Sequence, residues 1–253
     1  MNNTPNNSTI PNSLNADSTN LIYEGKAKKI FKIPQEPHHV LMEFKDSLTA
    51  FNAQKKGSFA DKGVINRDIA ALIFKELSLN GVASHFIENV GERGMKTQRV
   101  EIIPLEVVVR NILAGSTAKK MGIDEGLKLE SPLVEFYFKK DELNDPFVSD
   151  DQIIAFKITD ATSVLELKRK AIEINRVLIA LFEKIGIQLV DFKIEFGRTS
   201  AGELLLADEI TPDCCRLWDI KTGEKMDKDR FRRDMGNIDQ YYQEVLNRLR
   251  KVR

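Results

Sequence analysis

Glu195 and Asp208 are two carboxylates in a stretch whose pattern points them toward one another. Val190, Phe192, Ile194 and Phe196 alternate with Asp191, Lys193 and Glu195, giving a strand with one apolar and one charged face. Ala201-Gly202 supplies a turn. With a two-residue turn, Ser200 pairs with Glu203, and the same register sets Glu195 opposite Asp208. Carboxylates directly across a ladder lie roughly 5 Å apart and repel. A hard cation such as magnesium removes that repulsion, because it prefers carboxylate oxygens. A solvated acidic face is the other reading of the same spacing. A three-residue turn would set Ile194 opposite Asp208 instead.

Three further clusters have chemical potential. Lys26 and Lys28 flank Ala27 just after Gly25, and two ammonium groups beside a glycine turn either hold a polyphosphate or are ordinary surface lysines. Arg110, Gly115 and Ser116 combine a guanidinium fork, backbone N–H groups and a hydroxyl, which suits a phosphate or carboxylate. A strand end followed by a helix cap would use the same residues. Lys139 and Asp145 fall on a polar loop closed by Pro146.

The elements that must position these groups follow from periodicity. Residues 21–31 read as strand, glycine turn and strand, and 40–44 as a strand. Residues 47–52 read as a loop. A helix is expected over 59–79, stopped by Gly81. Strands are expected at 86–90 and 99–103, then at 105–109 after an interruption at Pro104. A short helix follows from Thr117, then a strand over 133–138. The clearest helix spans 163–185, with a Ser163–Glu166 capping box and an apolar stripe of Leu167, Ala171, Ile174, Leu178, Leu181 and Ile185. Two helical pieces split by Gly236 close the chain, with Asp227 as a cap for the first. The order implies an α+β protein of two lobes with a seam near Pro104, and a ligand cleft between the lobes. The division expected is a disordered tail over 1–20, a β-rich lobe over 21–104 and an α/β lobe over 105–253.

Composition narrows the classes. Lys+Arg and Asp+Glu each number 38 in 253 residues, so no broad basic surface for nucleic acid is expected. No apolar run approaches the roughly 18 residues of a membrane helix, and no basic start leads into an apolar stretch as in a secretory signal. Cys214 and Cys215 are the only cysteines and are adjacent, which fits a reducing cytoplasm. His38, His39 and His85 have no metal spacing and read as surface or structural residues. Trp218 reads as a core anchor. Cys215 beside Arg216 reads as a packed thiol rather than an acidified one. There is no G-x-G-x-x-G, no Walker lysine and no G-x-S-x-G.

Five segments, YEGKAKKIF, VVVRNILAGS, LVDFKIEFG, ADEITPDCCRLWD and MDKDRFRRDMG, occur in this order over more than 200 residues. Together they resemble the SAICAR synthetase family, whose plan is similar to ATP-grasp proteins and kinases. The resemblance implies ligation of L-aspartate to the carboxylate of CAIR, using ATP and magnesium, in purine biosynthesis, with an acyl phosphate intermediate. It implies ATP phosphates on Lys26, Ala27 and Lys28, and adenine near Ile102. Magnesium falls to Glu195 and Asp208, and the CAIR phosphate and carboxylate to Arg110, Ser116 and Arg216. Lys139, Asp145 and Lys193 complete the polar wall. Asp213 is the candidate to take the amine proton or to orient Arg216. A homo-oligomer in the cytoplasm, without nucleic acid or membrane, is the accompanying expectation. Two positions depart from the family pattern: Asn52 stands where aspartate is common, and Cys214 where a small hydroxyl residue is common. A phosphotransferase, or a nucleotide-binding module without turnover, would use similar elements; dependence on aspartate separates them.

Overall fold

The computed structural model describes residues 18–51 and 53–252; the first 17 residues of the tail expected over 1–20, and Asn52, lie outside the described residues. Ser18–Asn20, the end of that tail, form a 3-10 turn. It leads into β1 (Leu21–Glu24), which turns at Gly25 into β2 (Lys28–Lys32), and β3 (His39–Phe44) pairs with β2. The segment expected as a loop instead forms β4 (Ser47–Ala50), paired with β5 (Lys55–Ser58). The reason is a short alternation: Leu48 and Ala50 are buried while Ser47 and Thr49 are not. Helix α1 (Lys62–Leu79) begins later than expected, after Asp61 in the left-handed region. Phe59 is not helical and packs edge-on against Tyr242. β7 (Gly94–Gln98) pairs with β3 and β6 (Phe86–Val90) with β7, giving an antiparallel sheet in the order β1-β2-β3-β7-β6.

Strand β8 (Glu101–Ile112) runs straight through Pro104, correcting the expected interruption. Its pairing shifts between Ile102, opposite Gly197, and Glu106, opposite Glu195. Pro104 falls inside that bulge, where no ladder N–H is needed. Next come α2 (Gly115–Met121), β9 (Lys128–Phe138), β10 (Phe147–Val148) and α3 (Asp150–Ala155). Helix α4 (Ala161–Lys184) buries most of the expected stripe, but Asp160 caps it by accepting the Ser163 N–H. Glu166 pairs instead with Arg198, so no capping box forms at Ser163.

β11 (Ile187–Arg198) is the strand that organises the second sheet, ordered β10-β9-β8-β11-β12, where β12 is Leu204–Ala207. One edge of β11 pairs with β8. Its other edge is shared by β13 (Cys215–Asp219) along the first half and β12 along the second. The chain closes with α5 (Asp229–Arg232) and α6 (Ile238–Arg250). Lys228 precedes α5, and Asp227 still contributes by accepting the Asp229 N–H. A single apolar core joins the lobes, with Phe74 of α1, Val107 of β8, Ile174 of α4 and Tyr242 of α6 in one cluster. Among the described residues no helix is long and apolar enough to cross a membrane.

Candidate active site

The central strand brings the charged groups together by register. Asp191 on β11 stands opposite Arg110 of β8 on one side and Arg216 of β13 on the other. Both guanidiniums donate to the same Asp191 oxygen, at 2.7 Å each. Arg110 also donates to Glu135 at 2.6 Å, and Arg216 to Asp229 at 3.1 Å. Burial opposes the charge on both arginines, but Asp191, aided by Glu135 or Asp229, outweighs it and raises both above the usual arginine value. Ser116 opens into the same space from the first turn of α2, beside Gly115. Gly115 has φ 66°, and a Cβ there would collide with the Arg216 guanidinium. Two rigidly held forks, a hydroxyl and a close backbone make an anion cradle.

The other end of the cleft holds lysines and carboxylates. The register is that of the three-residue turn, one residue off the two-residue one: Glu195 lies opposite Ala207, and Arg198 opposite Leu204. The cause is a longer turn, in which the Thr199 hydroxyl accepts the N–H groups of Ala201 and Glu203. Asp208 lies beyond β12, at φ 63°. Strand alternation alone would send it to the far face. The left-handed residue breaks the alternation, and its carboxylate lines the same cavity as Glu195. Lys28 bonds Asp208 and lies 3.3 Å from Glu209, while Lys139 reaches Glu195 at 2.5 Å. Lys193 bonds Glu106 at 2.6 Å and Glu195 at 3.2 Å. Burial alone would raise the Asp208 carboxyl; Lys28, Lys193 and Lys139 overcome it and hold it below the usual carboxylate range. Burial would lower Lys28, Lys139 and Lys193, and the neighbouring carboxylates raise all three.

Every site residue expected from the sequence lines one cavity of about 880 Å³. Lys26 reaches Asp141 at 2.8 Å, and the Ala27 carbonyl accepts the Lys45 N–H. Ile102 is a partly exposed apolar wall residue at the far end of β8. Asp145 accepts the Lys140 N–H at 2.8 Å. Asp213 is different from the expectation. One oxygen takes Lys62 at 2.5 Å and Asn66 at 3.0 Å, and the other takes Tyr242 at 2.8 Å. Despite burial, which would raise it, Lys62 and Lys228 hold its carboxyl below the usual range, so it is a weak proton acceptor. Nor does it orient Arg216, which is held by Asp191 and Asp229. Cys214 lies in the cavity wall with its thiol against the carbonyls of Glu209 and Thr211, and burial pushes the Cys215 thiol well up. His85 is buried, with Nε2 3.0 Å from the Asp208 carbonyl, and burial lowers it to about 4.

Sequence reasoning gave no role to Asp191, Lys62, Asp229 or Glu209. Asp191 had a readable signal, since it shares the period-two face of Lys193 and Glu195. The others act through partners remote in sequence. Among the described residues no group of three or more His, Cys, Asp or Glu converges as a metal cluster. Glu195 and Asp208 are nevertheless two oxygen donors in one cavity, each already facing an ammonium group, which fits an ion held by one or two carboxylates plus phosphate oxygens.

Fold and cleft together define a two-lobed enzyme built for small phosphorylated substrates, with cations at both ends of one cavity. The family model described as SAICAR synthetase matches residues 21–249. A phosphoribosylaminoimidazole-succinocarboxamide synthase of Shouchella clausii is 53% identical over 229 residues, covering 90% of this chain and 95% of that protein. The crystal structure of the same-named enzyme from Ehrlichia chaffeensis superposes with a TM-score of 0.88 at 43% identity, covering 91% and 98% of the two chains. A SAICAR synthetase in complex with ADP superposes with a TM-score of 0.87 at 41% identity, covering 90% and 96%. The chain belongs to the SAICAR synthetase family.

Proposed function

We propose that the protein joins the carboxylate of CAIR to the amine of L-aspartate, converting ATP to ADP and phosphate and yielding SAICAR for purine biosynthesis. The observation that carries this reading is the single cleft with an arginine cradle at one end and a lysine–carboxylate cluster at the other, in a chain matched to the family over residues 21–249.

A carboxylate is a poor acyl donor because oxide is a poor leaving group. In the proposed first step, an oxygen of the CAIR carboxylate attacks the γ-phosphorus, the bond to the β-phosphate oxygen breaks, and ADP leaves. The acyl phosphate then accepts the aspartate amine at carbon, and the carbon–oxygen bond to phosphate breaks. An ammonium form of aspartate releases two protons, which balance the departing phosphate as dihydrogen phosphate. Lys26 and Lys28 would bind the triphosphate, with Ile102 against the base. Lys139 and Lys193 would face the transferred group, and Asp145 would hold the loop that carries Lys139. Arg110, Ser116 and Arg216 would hold the CAIR phosphate. Glu195 and Asp208 would hold magnesium, which when bound offsets charge on the phosphate oxygens. With Asp213 engaged by three donors, the released phosphate is the better proton carrier.

The cytoplasm and a homo-oligomeric state complete the reading. Free thiols at Cys214 and Cys215 support the first, and light scattering tests the second. The decisive experiment is mass spectrometry of the products formed from CAIR, L-aspartate, ATP and magnesium. A new mass equal to CAIR plus aspartate less water, with matching ADP, is expected. ADP release that ignores aspartate would mark a phosphotransferase instead.

A further inference from the structure

Glu125 stands outside the cavity wall, in the turn between α2 and β9. Gly122 and Gly126 shape that turn with φ 64° and 106°. The Gly126 N–H donates to the Leu113 carbonyl at 2.9 Å, and the Leu113 N–H to the Leu127 carbonyl at 2.8 Å. The turn is thereby laced to the segment that leads into Gly115. A helix start leaves backbone N–H groups without intrahelical partners, and Ala114, the residue before α2, has no side-chain oxygen to accept one. Glu125 supplies the acceptor: its Oε1 takes the Gly115 N–H at 2.9 Å. The same oxygen takes Arg233, just past α5, at 2.5 Å, and Oε2 lies 3.5 Å from Lys225. Arg233 above all, with the Gly115 N–H and Lys225, holds this carboxyl at about 2 against the effect of burial.

These contacts close a ring. Arg233 also lies 3.5 Å from Asp229 Oδ2, the oxygen that takes Arg216 at 3.1 Å. Arg216 in turn packs its guanidinium against Gly115, which has no room for a Cβ. From Gly115 through Glu125, Arg233, Asp229 and Arg216 back to Gly115, every link is a hydrogen bond, an ion pair or a packed contact. The ring joins parts of the cradle that come from separate elements, since Ser116 rides on α2 and Arg216 on β13. Arg110 stands outside it, fixed by Asp191 and Glu135. As support for the fold alone the Glu125–Arg233 pair counts for little: the side chains are 30% and 41% exposed, and an ion pair in that setting adds little stability. Its weight lies in geometry, because a binding group displaced by about 1 Å costs roughly a hundredfold.

We propose that Glu125 is a positioning residue for the phosphate-bearing substrate, pinning the start of α2 against Arg216 so that Ser116 and the guanidinium fork meet one anion; this rests on the ligase reading above. The test measures steady-state kinetics of the full chain, varying CAIR and ATP separately, for the wild type, Glu125→Ala, Glu125→Gln and Arg233→Met. Glu125→Ala should raise the KM for CAIR by about tenfold, a fraction of the cost of a full 1 Å displacement, and leave the KM for ATP within about twofold. Glu125→Gln keeps an oxygen for the Gly115 N–H and should show a smaller rise in the same direction; it takes the place of Glu125→Ala should that variant not fold. Arg233→Met should raise the KM for CAIR as well. Links of one ring act as a unit, so Glu125→Ala combined with Arg233→Met should be no worse than Glu125→Ala alone. Melting temperatures should fall by no more than roughly 6 °C. A support of the fold alone would lower Tm without separating the two substrates. An unchanged KM for CAIR, equal rises for CAIR and ATP, or multiplying effects in the double variant overturn the assignment. If the wild type forms no SAICAR, the ligase reading falls; if it does and Glu125→Ala keeps its KM for CAIR, only the role of Glu125 falls.

Discussion

Asp208→Asn is the most direct test of the cluster at the nucleotide end. The residue sits at φ 63°, a conformation asparagine tolerates better than most side chains, so the backbone should persist. The cluster contains three lysines, Lys28, Lys139 and Lys193, against four carboxylates, Glu106, Glu195, Asp208 and Glu209. Removing one negative charge leaves three against three, and Lys28 keeps Glu209 at 3.3 Å. The stability loss should therefore be that of one charged hydrogen bond, about 1.5–3 kcal/mol. For a chain of this size that lowers Tm by roughly 3–12 °C. Turnover should suffer far more. Loss of one group that stabilises developing oxygen charge costs about 100- to 1,000-fold in kcat. The assay is coupled ADP release with CAIR and aspartate at rising magnesium, alongside thermal melting. A variant that melts within this range yet keeps kcat within about threefold, with unaltered magnesium dependence, refutes the metal-holding role.

Arg110→Met should raise the KM for CAIR by roughly 10- to 150-fold with little change for ATP; a rise for ATP alone would show the cradle to be misassigned. Gly115→Ala forces an alanine to φ 66° against the Arg216 guanidinium, so CAIR binding should weaken by on the order of tenfold, with about 1–2 kcal/mol lost from stability. His85 is held by burial at about 4, below its usual 6.5. The unfolded chain takes up its proton first as pH falls, so His85 should withdraw about 3 kcal/mol of stability between pH 6.5 and 4. Urea unfolding of His85→Asn should show a correspondingly flatter slope over that window, and an identical slope would contradict it.

What could be read from the sequence was what has a period. The stripe from Leu167 to Ile185 and the alternation from Val190 to Phe196 are long enough to define their faces. β7 escaped because Gly94 and Thr97 are buried without any apolar alternation to announce them. β13, reading Cys-Arg-Leu-Trp-Asp, is too short for its alternation to announce a strand, yet it supplies Arg216 in register with Asp191. The hairpin register depended on the Thr199 hydroxyl, a contact invisible to any count of turn residues. The two carboxylates still reach one cavity, through a left-handed residue rather than through the ladder. Lys228 shares its motif with Asp229 and Arg232, but only the fold reveals that it lies in the cavity wall beside Asp213.

The arrangement of charges also says how substrates can enter so buried a cleft. Bare ammonium and carboxylate groups in such a place would each cost several kcal/mol of desolvation. Here they are paired in advance, Lys28 with Asp208 and Lys139 with Glu195, so the cleft is close to neutral before any ligand arrives. An anion alone would have to strip lysines from their carboxylates and leave the latter exposed to one another. A divalent ion alone would repel the displaced lysines. Arriving together, the phosphates take the lysines and the ion takes the carboxylates, so every broken pair is replaced. Binding of nucleotide and magnesium should therefore be strongly coupled, each tightening the other by the same factor. Titration calorimetry measures that factor directly: ADP affinity equal with and without magnesium would show that the pairs do not exchange.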